Sequence, residues 1–341
     1  MMTILLEEST SNPEKFLYNT PSSNDKSPLF FPELLLVEER LKQTIDKAQG
    51  MIRQSCSQLL TSGGKRLRPL LTLQSGMCFG PLNTATIQAS VAAELIHMAS
   101  LIHDDVIDHS DLRRGLPTIN SQQGNLAAVL TGDYLFAEAF HILSSHQLLA
   151  SMNYLVEAIQ AMCTGEVDQA NRQFDLSVSE NDYFERISRK TGILLASSCR
   201  SGAATASASN EDIDRLGNFG MHLGYAYQII DDLLDFTGDP QQTGKPVAAD
   251  LINGHITLPI IYLLKHPLYG PWAGEFLQDK PTPEKIPKIM QALISSEALD
   301  EAFSTALTCV ETALSYLEEI SACPSKTVLT QLAAKVLYRN S

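Results

Sequence analysis

Residues 101–115 read LIHDDVIDHSDLRRG, with Asp104, Asp105 and Asp108 inside five positions, Asp111 three further on, and then Arg113 and Arg114. Asp104 and Asp108 are four apart, so a helix places them on one face, where like charges repel. The run before them, from Thr84, contains neither Gly nor Pro. The carboxylates therefore fall at a helix C-terminus, whose dipole also disfavours anions. A cation relieves both faults. Mg²⁺ suits the donors best, because it takes one or two carboxylates and completes its shell with water and phosphate oxygens.

GYAYQIIDDLLDFTGD, residues 224–239, repeats the arrangement, an apolar helix running into Asp231, Asp232 and Asp235 with the outer pair again four apart. Two such ends in one chain point to a shared site, in which facing carboxylates hold several Mg²⁺ ions around one polyphosphate. Gly220 and Gly224 allow the second helix to pack closely on a neighbour. The chain's sparse basic residues gather where a diphosphate needs them. Lys65, Arg66 and Arg68 stand in SGGKRLRP, Arg113 and Arg114 in LRRG, Lys190 with Thr191 in RKTG, and Lys245 in GKP.

The elements that must position these groups are helices. Hydrophobic residues make up 44% of 341, with only 19 Gly and 16 Pro, and strand-like alternation is scarce, so an all-α fold is expected. Residues 1–30, polar and acidic without a cleavable signal pattern, read as a mobile tail, and residues 31–341 as a single large helical domain. A net charge of −14 argues against a nucleic-acid surface. No uninterrupted run of about 18 apolar residues occurs, so no transmembrane segment is expected. Six cysteines without CxxC or CxxH spacing indicate core thiols in a reducing, cytoplasmic compartment.

In order and spacing, GGKRLRP (63–69), ELIHMASLIHDDVIDHSDLRRG (94–115), GDYLFAEAF (132–140), KTGIL (190–194) and YQIIDDLLDFTGD (227–239), followed by GKP and TLP, resemble the motifs of the trans-isoprenyl diphosphate synthases, including the DDxxD motif. The resemblance runs from about residue 33 to the C-terminus. It implies an isoprenoid synthase-like helical bundle around a central cavity, commonly a homodimer, joining isopentenyl diphosphate to an allylic diphosphate primer. Carried over by position, Asp104, Asp108 and Asp231 resemble the ligands of the Mg²⁺ ions on the allylic diphosphate, with Asp105 and Asp235 beside them. Arg113, Lys190 and Lys245 resemble the basic clamp on that diphosphate, and Thr191 and Gln228 the neighbours of the reacting prenyl group. Lys65, Arg68, His97 and Arg114 resemble the metal-free pocket for isopentenyl diphosphate. His103 and His109 have no such counterpart and are read as structural.

The chemistry implied is cleavage of an allylic C–O bond with charge developing on the leaving diphosphate, which electrostatic stabilisation promotes without any side-chain nucleophile. On the first aspartate helix Ala89, Ala92, Ile96, Ala99 and Ser100 share one arc beside the carboxylates, a path for a growing prenyl tail. About seven isoprene units need on the order of 30 Å, or about 20 helical residues. Phe136 or Phe140 is expected to close the far end. The long-chain product is a quinone side-chain precursor; the alternatives are a shorter-chain synthase and a non-catalytic, product-binding subunit of a heteromeric synthase. Two positions depart from the family pattern. His255 stands where Lys is common, and Ala248 where Gly is common.

Overall fold

The computed structural model describes residues 31–238 and 246–338, and nearly every described segment is helical. α1 (Pro32–Ile45) opens with proline in its first turn, where an N–H is not needed. α2 (Gly50–Thr61) and α3 (Leu67–Met77) flank the GGKR loop, whose Arg66 is left-handed at φ 47°. α4 (Thr84–Ile107) is the long helix expected from the Gly- and Pro-free run, capped by the Asn83 side chain accepting from the Thr86 N–H.

A small hairpin follows, β1 (Leu112–Arg113) against β2 (Leu116–Pro117), the one sheet among the described residues. Arg114 and Gly115 form its turn at φ 52° and 75°, the left-handed pair that a tight two-residue hairpin requires. Two-residue strands are too short for alternation to register in sequence, so the all-helical reading passes over them. The hairpin matters because it sends the two arginines in different directions.

α5 (Ile119–Gln123), α6 (Asn125–Ser145) and α7 (Leu149–Asn171) lead to α8 (Glu180–Ile187), which starts at a capping box between Ser179 and Asp182. A π-helical turn, Ser188–Gly192, joins α8 directly to α9 (Ile193–Thr205). α10 (Asn210–Thr237), capped by Ser209, carries the second aspartate cluster at its C-terminal end. Then come α11 (Ala249–Ile252), α12 (Leu258–Lys265), α13 (Gly270–Gln278), α14 (Ile286–Ser295), α15 (Ala298–Glu318) and α16 (Pro324–Val336).

The buried side chains form two clusters, one around α4, α6 and α7, the other around α10, α12 and α15. α3 and α9 contribute to both, Leu71 and Leu195 on one side and Leu73 and Leu194 on the other. The two aspartate helices thus belong to different halves of the core, joined by shared helices. α4 and α6 are long and apolar enough, by length and composition, to cross a membrane, against the expectation from uninterrupted runs, because isolated polar residues had hidden them. The apolar stretch of α4 is 72% buried inside the protein and that of α6 only 39%. The expected tail at residues 1–30 and the clamp residue Lys245 lie outside the described residues.

Candidate active site

Asp104 has Lys190, Glu166, Asp108 and Arg113 as its charged neighbours. Burial pushes its carboxyl up to about 6, Lys190 and Arg113 working against the shift and Glu166 and Asp108 with it. Lys190 is bound by Glu166 of α7 at 2.7 Å. Burial disfavours its charge, but Glu166, and then Asp104 and Asp108, hold its pKa above the usual value. A carboxylate whose charge is disfavoured mainly by burial, with Glu166 and Asp108 beside it, fits a divalent cation. Among the described residues no three metal-ligating side chains converge on one point, so an ion here needs ligand oxygens as well as the protein's.

The π turn explains how Lys190 and Thr191 reach opposite walls. An extra residue in the turn re-aims side chains, and such turns recur at functional sites. Gly192 ends it against α10. A Cβ added to Gly224 would stand 2.5 Å from the Gly192 Cα, so only glycine permits this approach. One turn beyond Gly224, Gln228 accepts from the Thr191 hydroxyl at 2.7 Å and donates from its amide nitrogen to Asp232 at 2.9 Å. Tyr183 of α8 donates to the other Asp232 oxygen at 2.7 Å. Burial and Asp250 push the Asp232 carboxyl up to about 7, against the pull of Arg186, Gln228 and Tyr183. Asp231, next in sequence, is exposed. Sequence spacing had grouped Asp231 and Asp232 as one cluster; the helix turns them about 100° apart, one outward and one into the core.

His97 lies seven residues before Asp104, nearly on the same face of α4 and about 10 Å away. Its surroundings are of the opposite sign. Burial, then Arg68, Arg114, Arg113 and Arg66, depress its pKa well below the ordinary value. Arg66 pairs with Glu94 at 3.0 Å and with Glu38, while the buried Arg68 Nε and Glu94 Oε2 have no hydrogen-bond partner. Arg114 reaches back from the hairpin to the Gly63 carbonyl, closing the GGKR loop over this pocket, and Lys65 is exposed on that loop. The left-handed Arg66 and Arg114 are the strained residues that hold the pocket together.

Several expectations are redirected. Asp105, expected beside the metal, is buried and takes both the Arg113 Nε and a terminal nitrogen at 2.8 Å, so it orients that arginine instead of joining the open stripe. Asp235 is tied to the segment after residue 245, its carbonyl accepting from the Ala248 N–H at 2.8 Å and its carboxylate from the Asp250 N–H at 3.2 Å. Ala248 is left-handed at φ 57° and fully buried, which accounts for glycine being common there. His255 has Asp250, Lys190, Arg186 and Asp108 as charged neighbours, so it occupies the site, with burial lowering its pKa. Ala89, Ala92, Ile96 and Ala99 are all fully buried, and the Ser100 hydroxyl donates to the His97 carbonyl at 2.9 Å. Phe136 is not at the far end of that arc. Its ring lies 5.6 Å from that of His103, beside the metal end, where His103 fits over Gly132 and so keeps a structural role.

Sequence reasoning missed Glu166, Tyr183, Glu94 and Asp250. Glu166 follows Gly165 in α7, a helix that also carries Glu157 and Asp168, and nothing local says which of these acids faces Lys190. A neighbouring cleft of about 250 Å³ contains Arg172, Arg186 and Arg189. All three are already engaged, with Asp182, with the Ile256 carbonyl, and with Asp168 and Glu185, so it is not a second anion pocket.

Residues 49–293 match the model of the polyprenyl synthetase family. The chain belongs to that family and is an enzyme of the prenyltransferase class. It is 34% identical over 304 residues to heptaprenyl diphosphate synthase component 2 of Bacillus subtilis, covering 89% of this chain and 86% of the relative. The heptaprenyl diphosphate synthase of Staphylococcus aureus superposes with a TM-score of 0.83 at 36% identity, over 91% of this chain and 98% of that one. A polyprenyl synthase from Caulobacter crescentus, solved with calcium and isoprenyl diphosphate, gives 0.85 at 30% identity over 91% and 95%.

Proposed function

We propose that this enzyme condenses isopentenyl diphosphate with an allylic diphosphate, head to tail and repeatedly, to a long-chain all-trans polyprenyl diphosphate that serves as a quinone side-chain precursor. One observation carries the two-substrate reading. His97 and Asp104 share a face of α4, one ringed by arginines and the other in a mixed cluster of Asp108, Glu166, Lys190 and Arg113 that suits a metal-bound diphosphate, so two diphosphates are received side by side by different chemistries. The arginine pocket takes isopentenyl diphosphate without metal; the carboxylate pocket takes the allylic diphosphate. Mg²⁺ bound there by Asp104, Asp108 and Asp231 would neutralise charge on the leaving diphosphate. Arg113, oriented by Asp105, and Lys190, exchanging Glu166 for a phosphate oxygen, hold the same leaving group. His255 adds a donor on its far side. The small side chains of Ala89, Ala92, Ala99 and Ser100 along α4 favour a long product, since none of them is large enough to stop a growing tail.

A homodimer is the assembly proposed. Leu126, Val129 and Leu130, at positions i, i+3 and i+4 on one face of α6, are 75%, 39% and 51% exposed, more apolar surface than a lone helix leaves in water. A reducing, cytoplasmic setting agrees with the six free cysteines.

The test is mass spectrometry of products formed by purified protein from isopentenyl diphosphate, farnesyl diphosphate and Mg²⁺. Products of about seven isoprene units are expected, of the order that α4 can span. Asp104→Ala, Asp231→Ala or chelation of the metal should each remove activity by orders of magnitude while helicity persists; near-normal turnover in either variant refutes the shared site.

A further inference from the structure

The geometry points to Tyr183 as a positioning residue that, through Asp232 and Gln228, decides which side of the Thr191 hydroxyl faces the reacting prenyl group; this rests on the prenyl-transfer reading above. Tyr183 is fully buried and Asp232 nearly so, so neither touches a substrate. The Tyr183 hydroxyl donates to Asp232 Oδ2 at 2.7 Å, and the Gln228 Nε2 donates to Asp232 Oδ1 at 2.9 Å. A primary amide has a donor end and an acceptor end. With its nitrogen held by Asp232, Gln228 must turn its oxygen toward Thr191, and the Thr191 hydroxyl donates to it at 2.7 Å.

A hydroxyl has one proton. Once that proton is used on Gln228, Thr191 can offer the site only lone pairs, the polarity that steadies a developing allylic cation. With Gln228 rotated by 180°, the amide would donate and the Thr191 proton would turn toward the cation, which it repels. The Gln228 orientation therefore has electronic consequences at Thr191, and it is set by two buried groups on α8 and α10. Gly192 and Gly224 bring Thr191 close enough for the relay to close.

The experiment is a double-mutant cycle on the full chain with isopentenyl diphosphate, farnesyl diphosphate and Mg²⁺, using Tyr183→Phe, Thr191→Val and the pair. Tyr183→Phe should lower kcat by about tenfold while both KM values, and the calorimetric affinity for a non-reactive thiolo analogue of the primer, stay within about twofold. The pair should be no slower than Thr191→Val alone, because the Tyr183 effect is exerted only through that hydroxyl. Thr191→Ser, which keeps the hydroxyl, should restore the sensitivity to Tyr183→Phe. Assays run below the lowest thermal midpoint separate a folding loss from a catalytic one. Should Tyr183→Phe not fold, Asp232→Asn enters the same cycle, with half-saturating Mg²⁺ measured to show that metal affinity is unchanged. Losses that multiply, or an unchanged kcat in the variant that folds, overturn the role of Tyr183. Absence of any prenyl product from wild type would instead remove the reaction itself, and the inference with it.

Discussion

His97 and Asp104 are both held away from their charged forms, in each case chiefly by burial. The imidazole is also ringed by arginines, so its pocket carries an excess of positive charge that an anionic ligand would balance, whereas Asp104 has Lys190 and Arg113 beside it as well as Glu166 and Asp108. For His97 this has a measurable consequence in the folding equilibrium. Its folded pKa lies well below the ordinary 6.5, so the unfolded chain binds the proton more readily. Its contribution to stability is full above pH 6.5 and is lost as pH falls through that value. Carboxyls raised by burial, Asp104 and Asp232 among them, change stability in the opposite direction, so the comparison must be between variants. The urea midpoint of His97→Gln should fall less than that of wild type between pH 7.5 and about 5. Inorganic pyrophosphate should narrow the difference, since an anion in the arginine pocket favours the imidazolium. Equal pH profiles for the two proteins would show that His97 is not held neutral in the fold. In the same pocket, Arg68→Ala should raise the KM for isopentenyl diphosphate more than that for the primer. Equal effects would place Arg68 between the two substrates.

At the scale of elements, the contact of the π turn with α10 and the arc of small residues on α4 each turn a local composition into a functional distance. Gly224→Ala would push a methyl to 2.5 Å from the Gly192 Cα, between two backbones that have no flexible side chain to yield. Overpacking of this kind costs about 1–3 kcal/mol. The separation it forces should also part Thr191 from Gln228, so a fall in thermal midpoint and a fall in kcat should appear together. A variant that is destabilised but turns over normally would mean the relay does not depend on that contact. On α4, Ala99 is fully buried, five residues or about 7.5 Å before Asp104. Ala99→Phe should place a ring across the tail path and shorten the product to about 15 or 20 carbons, the length a path ending there would allow. Unchanged product length in a stably folded Ala99→Phe enzyme would route the tail elsewhere.

In the whole molecule, the apolar face of α6 is a departure from a surface made only for water, with Leu126, Val129 and Leu130 all exposed. Burying Leu126 and Leu130 against a second copy is worth on the order of 1.5–3 kcal/mol for each side chain fully buried. Leu126→Glu combined with Leu130→Glu should convert dimer to monomer in light scattering coupled to gel filtration, with the aspartate sites untouched. A wild-type chain that is monomeric by itself would transfer this face to a partner subunit of another kind. α6 packs on α4 through His103, which lies against Gly132 and the Val129 carbonyl, one residue from Asp104.

The helical class, the long α4, the aspartates at two helix ends and the basic groups near them were legible in the chain, because each depends on composition or on the spacing of residues a few positions apart. Ala248 and His255 were visible as departures only against the pattern of the family that the chain resembles. Tertiary structure decided which member of each pair faces the site. Asp104 faces Lys190 and Glu166 and Asp231 is exposed, while Asp105 and Asp232 are buried and bound to Arg113 and Tyr183, because burial and long-range hydrogen bonding distinguish carboxylates that the local pattern treats alike. It likewise decided that Glu166 meets Lys190, that Phe136 lies beside His103, and that four arginines surround His97. Each of these joins residues on different helices, and the relative placement of helices follows from packing, glycine contacts and a π turn that no short stretch of sequence contains.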